Sequence, residues 1–152
     1  MENHYTLLQL SWGLIQNISG LFWFLAHPGR PHAIYRGAIV TLWKKKSSAA
    51  VGMFIFLSDA GYPYPEKRSR VFDPQKLSPY MRKVLNHEYG HTLQSVLLGP
   101  LFLPLIALPS TLWAAFGTGF RRKHHISYYR FYPERWANRL GSRVTGEETP
   151  DF

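Results

Sequence analysis

The sequence predicts an α+β fold, mostly helical and membrane-associated, with a β-hairpin, a capped helix and a proline-broken apolar segment. Three observations predict it. Residues 6–26 carry no charge and many large apolar groups. Residues 33–57 are rich in β-branched and aromatic side chains. Residues 79–98 lie between a helix start, Ser78-Pro79, and a helix stop, Gly99-Pro100. The 152 residues suffice for one domain spanning 1–152 with a modest core.

Composition narrows the function classes. The chain holds no Cys, so disulfides and thiolate metal ligands are excluded. Its 18 Lys and Arg against 9 Asp and Glu give a net charge of +9, which favours an anionic partner. No helix-turn-helix, zinc-finger or aromatic RNA-binding signature is present, so no nucleic acid is expected. The apolar segments point instead to a lipid bilayer.

The first element, 6–26, is long enough for a transmembrane helix, with Gln9, Gln16 and Asn17 expected to face protein rather than lipid. A cleaved signal peptide fits less well, because residues 1–5 hold no Lys or Arg and no A-x-A site follows. The cations after it, Arg30, Arg36 and Lys44-Lys45-Lys46, place the C-terminal end of this helix in the cytosol by the positive-inside rule. Residues 33–57 read as a hairpin: AIYRGAIVTLW is one strand, KKKSSA a turn and AVGMFIFL the second strand. An open edge there could hold an extended peptide. Residues 58–78 are loop, in which Asp59 and Asp73 take turn or capping roles.

The helix 79–98 carries His87-Glu88-Tyr89-Gly90-His91. Residues four apart share a helix face, so both imidazoles can reach one metal ion. Glu88, one residue round, is placed to act as a general base toward water without being a ligand itself. A catalytic site needs a third protein ligand. The downstream carboxylates are Glu134, Glu147, Glu148 and Asp151. The last three fall in a polar tail, 142–152, expected to be mobile. Glu134 instead lies in a short helix, 133–140, opened by Pro133 and ended by Gly141, with Asn138 on the same face.

His87-Glu88-x-x-His91 followed by Glu134-x-x-Ala137-Asn138 resembles the gluzincin zinc metallopeptidases. The likeness is to their integral-membrane branch, which includes the heat-shock membrane endopeptidases and the CAAX-processing protease. It covers about residues 79–141, in a chain much shorter than those enzymes. The overall layout is also similar to a group of small bacterial membrane proteins. The resemblance implies Zn²⁺ held by His87, His91 and Glu134, with Glu88 catalytic and Asn138 bonded to a ligating His. The family usually has Asp where Asn138 stands. An amide oxygen can still accept from imidazole, but without charge.

Ligands on both sides of the apolar segment 99–120 must lie at one depth. About 22 apolar residues are too few for two crossings. The segment, interrupted by Pro100, Pro104 and Pro109, is therefore expected to re-enter, or else the zinc lies within the membrane; a single spanning helix requires Glu134 not to be a ligand. Residues 121–132, RRKHHISYYRFY, hold the membrane-boundary cations and three candidate oxyanion stabilisers: His125, Tyr129 and Tyr132. The expected function is a zinc-dependent membrane endopeptidase acting on peptides or membrane-protein segments. Its expected place is the bacterial inner membrane, with the site facing the cytoplasm. The alternative is a non-catalytic zinc-binding scaffold or subunit.

Overall fold

The computed structural model describes residues 2–60, 62–63 and 70–150. Loop positions 61 and 64–69, and tail residues 151–152 with the carboxylate Asp151, lie outside the described residues. The fold is α+β. Two helices, α1 (Glu2–Ser11) and α2 (Leu14–Leu25), precede a four-stranded mixed sheet of β1 (His32–Tyr35), β2 (Ala38–Trp43), β3 (Ala49–Val51) and β4 (Phe54–Ser58). Then come α3 (Pro79–Leu98), a π-helical turn at Leu103–Ala107, α4 (Leu108–Phe116), α5 (Thr118–His124) and α6 (Tyr132–Thr145).

The expected single helix over 6–26 is two helices, broken at Trp12-Gly13. The Gly13 amide bonds back to the Leu8 carbonyl at 3.0 Å, and a Cβ at Gly13 would meet the Gln9 carbonyl at 2.9 Å. The Asn17 amide takes over that carbonyl, donating to Gln9 O at 2.5 Å and to Gly13 O at 2.8 Å. The polar residues face protein, as expected. Gln9 Nε2 donates to Thr92 O at 3.1 Å, Gln16 Nε2 to Ser95 Oγ at 3.0 Å, and Asn17 Oδ1 accepts from the Met53 amide at 2.7 Å. Among the described residues no single helix is long and apolar enough to cross a membrane.

The sheet corrects the hairpin reading. The two runs do not pair antiparallel with each other; each is itself a hairpin. Arg36 and Gly37, at φ 50° and 86°, turn β1 back onto β2, and Gly52, at φ 62°, turns β3 onto β4. Two successive positive φ values suit a tight hairpin turn. The Lys44–Ser48 loop carries the chain past the sheet, so β4 inserts parallel to β2, in order β1-β2-β4-β3. All five residues of β4 are buried, which explains the unbroken apolar run Phe54-Ile55-Phe56-Leu57. One core cluster joins Val40, Leu42, Ile55 and Leu57 to Met81, Leu85 and Tyr89 of α3. A second joins Trp43, Phe54 and Phe56 to Phe24 of α2. Asp59 pairs with Arg30 at 2.8 Å, and Asp73 Oδ1 caps a short turn by accepting from the Gln75 amide at 2.9 Å.

Helix α3 has the expected bounds. The Ser78 hydroxyl accepts from the Met81 amide, Pro79 is the first helical residue, and Gly99 ends the helix at φ 53°. Helix α6 overruns its expected end: Gly146 stops it, and Gly141 has another task. A Cβ at Gly141 would meet Asn86 O at 2.2 Å, and one at Gly90 would meet Ala137 O at 2.0 Å. These glycines let α3 and α6 touch backbone to backbone. The tail is also docked rather than mobile over its described part. Asn86 Nδ2 donates to Glu148 O at 3.0 Å, and Asn138 Nδ2 donates to Pro150 O at 2.8 Å. The apolar segment is bent: Leu103–Phe116 and helix α5 meet at 69°, and only together are they long and apolar enough to cross a membrane.

Candidate metal centre

The α3–α6 crossing brings the two motifs together. One ligand atom each from His87, His91 and Glu134 lies within 4.8 Å of the others, and all three residues are buried. Glu134 Oε2 is 3.1 Å from His87 Nε2 and 3.3 Å from His91 Nε2. Four-coordinate zinc with ligands at about 2.0–2.1 Å sets adjacent ligand atoms about 3.3 Å apart, so the spacing suits such an ion.

The outer hydrogen bonds fix which ring nitrogens face this point. Asn138 uses its NH₂ on Pro150 O, so its oxygen accepts from His87 Nδ1 at 2.7 Å. Gln94 uses its NH₂ on Pro133 O at 2.9 Å, so its oxygen accepts from His91 Nδ1 at 2.7 Å. In both rings Nδ1 is the outward donor, and both Nε2 atoms face the Glu134 carboxylate. Two imidazoles and a carboxylate converging in a buried site could hold a metal ion. The three groups also act strongly on one another electrostatically. Burial opposes charge on His91, but the Glu134 carboxylate overrides it and holds the imidazole up at about 9. Burial likewise opposes the Glu134 charge, yet His91 and His87 keep that carboxyl well below its usual range.

Glu88 stands beside this group, buried, and burial raises its carboxyl pKa, with the two histidines opposing. Its Oε2 has no hydrogen-bond partner among the described residues. Glu88 and the three ligand residues line a cleft of about 690 Å³. One wall is Ala49–Val51 of β3, an edge strand of the sheet. Another is Phe102, Ile106, Ser110 and Ala114 of the apolar segment.

Of the three candidate oxyanion stabilisers, the structure brings only Tyr129 to the site, its ring edge-on to His87 at 5.1 Å. His125 is exposed at the left-handed C-terminus of α5, in a separate surface hollow with Arg121 and Arg122. Tyr132 is 48% exposed and donates to Leu105 O at 2.5 Å, away from the ligands. Proximity in sequence misled there, because the first turn of α6 turns Pro133 and Glu134 inward and Tyr132 outward. The sequence reading missed Tyr128, Ser110 and Gln94. Ser110 Oγ donates to Glu134 Oε1, and the Tyr128 hydroxyl lies 3.5 Å from Ser110 Oγ. Burial first, then the Glu134 charge, keep the Tyr128 hydroxyl protonated. Gln94 carried a legible signal, three residues after His91 on the same helix face. Ser110 and Tyr128 reach the site only through tertiary folding.

No protein-family model, no curated protein and no solved structure matches the chain.

Proposed function

We propose that the chain is a membrane-associated, zinc-dependent endopeptidase of gluzincin type. The observation that carries this is the buried His87, His91 and Glu134 group, opening on a cleft, with a Glu88 oxygen beside it that has no partner among the described residues. A purely structural metal site has no use for Glu88. Zinc is the metal of choice because two imidazoles and one carboxylate are a common catalytic zinc set. When bound, the ion would supply Lewis acidity that polarises the scissile carbonyl and lowers the pKa of a water molecule. Glu88 accepts the proton of the attacking water and passes it to the leaving amine. Tyr128, held protonated, turns its hydroxyl from Ser110 to the developing oxyanion, with Tyr129 walling the same side. Edge strand β3, which walls the cleft, offers its main chain to an extended substrate.

The outer surface supports the membrane part of this reading. Helices α1 and α2 are inside out: Gln9, Gln16, Asn17 and Gly20 are buried, while Leu7, Leu10, Leu14, Ile18, Phe22 and Leu25 are exposed. The apolar segment adds exposed Leu101, Leu105, Leu108, Leu112 and Phe116. Exposed apolar area on this scale fits lipid. The exposed cations at Lys44–Lys46 and Arg122-Lys123 fit anionic headgroups and a cytosolic site at a bacterial inner membrane.

The test is hydrolysis of a quenched-fluorescent peptide library by detergent-purified protein. Cleavage is expected that stops on chelation and returns on adding zinc. No cleavage, either in detergent or after reconstitution into vesicles, would contradict the peptidase reading.

A further inference from the structure

We propose that Ser110 is a positioning residue for Glu134, which makes the apolar helix α4 a wall of the metal centre. The inference rests on the metal-site reading above. Helix α4 turns Leu108, Leu112 and Phe116 outward, all exposed. Its inward side carries Ser110 and Trp113. The Trp113 indole donates to Tyr128 O at 3.0 Å, and the Arg121 guanidinium stands 5.0 Å from the Trp113 ring and 5.3 Å from the Tyr128 ring. These contacts hold the α4–α5 elbow against the Tyr128 segment and set Ser110 over Glu134.

Ser110 gives its one hydroxyl proton to Glu134 Oε1, so the 3.5 Å contact with Tyr128 has Tyr128 as donor. This short relay occupies Oε1 and leaves Oε2 to face both Nε2 atoms. Glu134 is 0% exposed, so its oxygens depend on the side chains packed around them. Without Ser110 the carboxylate is free to rotate and offer both oxygens to the ion. Outer-shell partners of this kind are typically worth 10- to 100-fold in metal affinity. The helix that contacts lipid and the carboxylate that completes the metal site are thereby one mechanical unit.

The test titrates Zn²⁺ and Co²⁺ into metal-stripped, detergent-solubilised full-length protein against a chromophoric chelator. The proteins compared are wild type, Ser110→Ala, Ser110→Thr and Glu134→Ala. Ser110→Ala is expected to bind about 10- to 100-fold more weakly, with a changed Co²⁺ visible spectrum and an unchanged circular dichroism spectrum. Ser110→Thr keeps the hydroxyl and is expected to recover affinity and spectrum. Wild-type affinity and spectrum in Ser110→Ala, with metal lost in Glu134→Ala, would overturn the positioning role and leave the metal site standing. Failure of a folded Ser110→Thr to recover would assign the effect to packing and overturn it too. Absence of metal in wild type would overturn both readings.

Discussion

Glu88→Gln is expected to lower peptide hydrolysis by about 10²- to 10⁴-fold while leaving the metal content unchanged. Glu88 lies next to the ligand group but contributes no atom to it. The Gln side chain has the same shape and cannot take up a proton at neutral pH. Burial, which raises the Glu88 pKa, helps the substitution, because a neutral amide is easier to bury than a carboxylate. The folded protein should therefore be at least as stable as wild type. The measurement pairs initial hydrolysis rates with metal analysis on the same preparation. A non-catalytic scaffold predicts equal behaviour of the two proteins in every assay.

Gly90→Ala is expected to damage both fold and site. A Cβ there would sit 2.0 Å from Ala137 O and 2.6 Å from Ala137 C, both backbone atoms. No rotamer change relieves that clash, so α3 and α6 must separate. Alanine favours a helix over glycine by about 1 kcal/mol, which offsets part of an overpacking cost of about 1–3 kcal/mol or more. A net loss of about 2 kcal/mol corresponds to about 4–8 °C in Tm for a chain of this size. The effect on metal should be larger. His87 and His91 sit on α3 and Glu134 on α6, so the displacement opens the gap between ligands. Thermal unfolding with and without zinc measures both: Tm falls, and the zinc-dependent rise in Tm shrinks. An unchanged Tm and zinc response would show that the helices tolerate a side chain at their crossing.

The central site was legible because local rules govern it. His87, Glu88 and His91 share one capped helix, and Ser78 and Gly99 fixed its ends to the residue. Glu134 and Asn138 follow from a second short helix and a motif resemblance, and the structure sets Glu134 beside His91 and bonds Asn138 to His87. The sheet was less legible. Arg36-Gly37 does not read as a turn in the sequence, since arginine seldom takes positive φ, and the polar run KKKSSA reads as the turn instead. Strand order is non-local, and one parallel pairing changed the whole arrangement. The break at Gly13 was hidden in a charge-free run, since what ends the helix is an Asn17 amide reaching back to two carbonyls. Gly141 read as a helix stop because sequence alone cannot distinguish a terminating glycine from one that admits a neighbouring backbone.

The most direct test of the account is elemental analysis of zinc in detergent-purified wild type and Glu134→Ala. The account predicts about one zinc per chain in wild type and marked loss in the variant. Well-folded wild type without zinc would contradict the metal centre and the peptidase together. Full zinc retention in Glu134→Ala would keep a metal but remove Glu134 as its ligand.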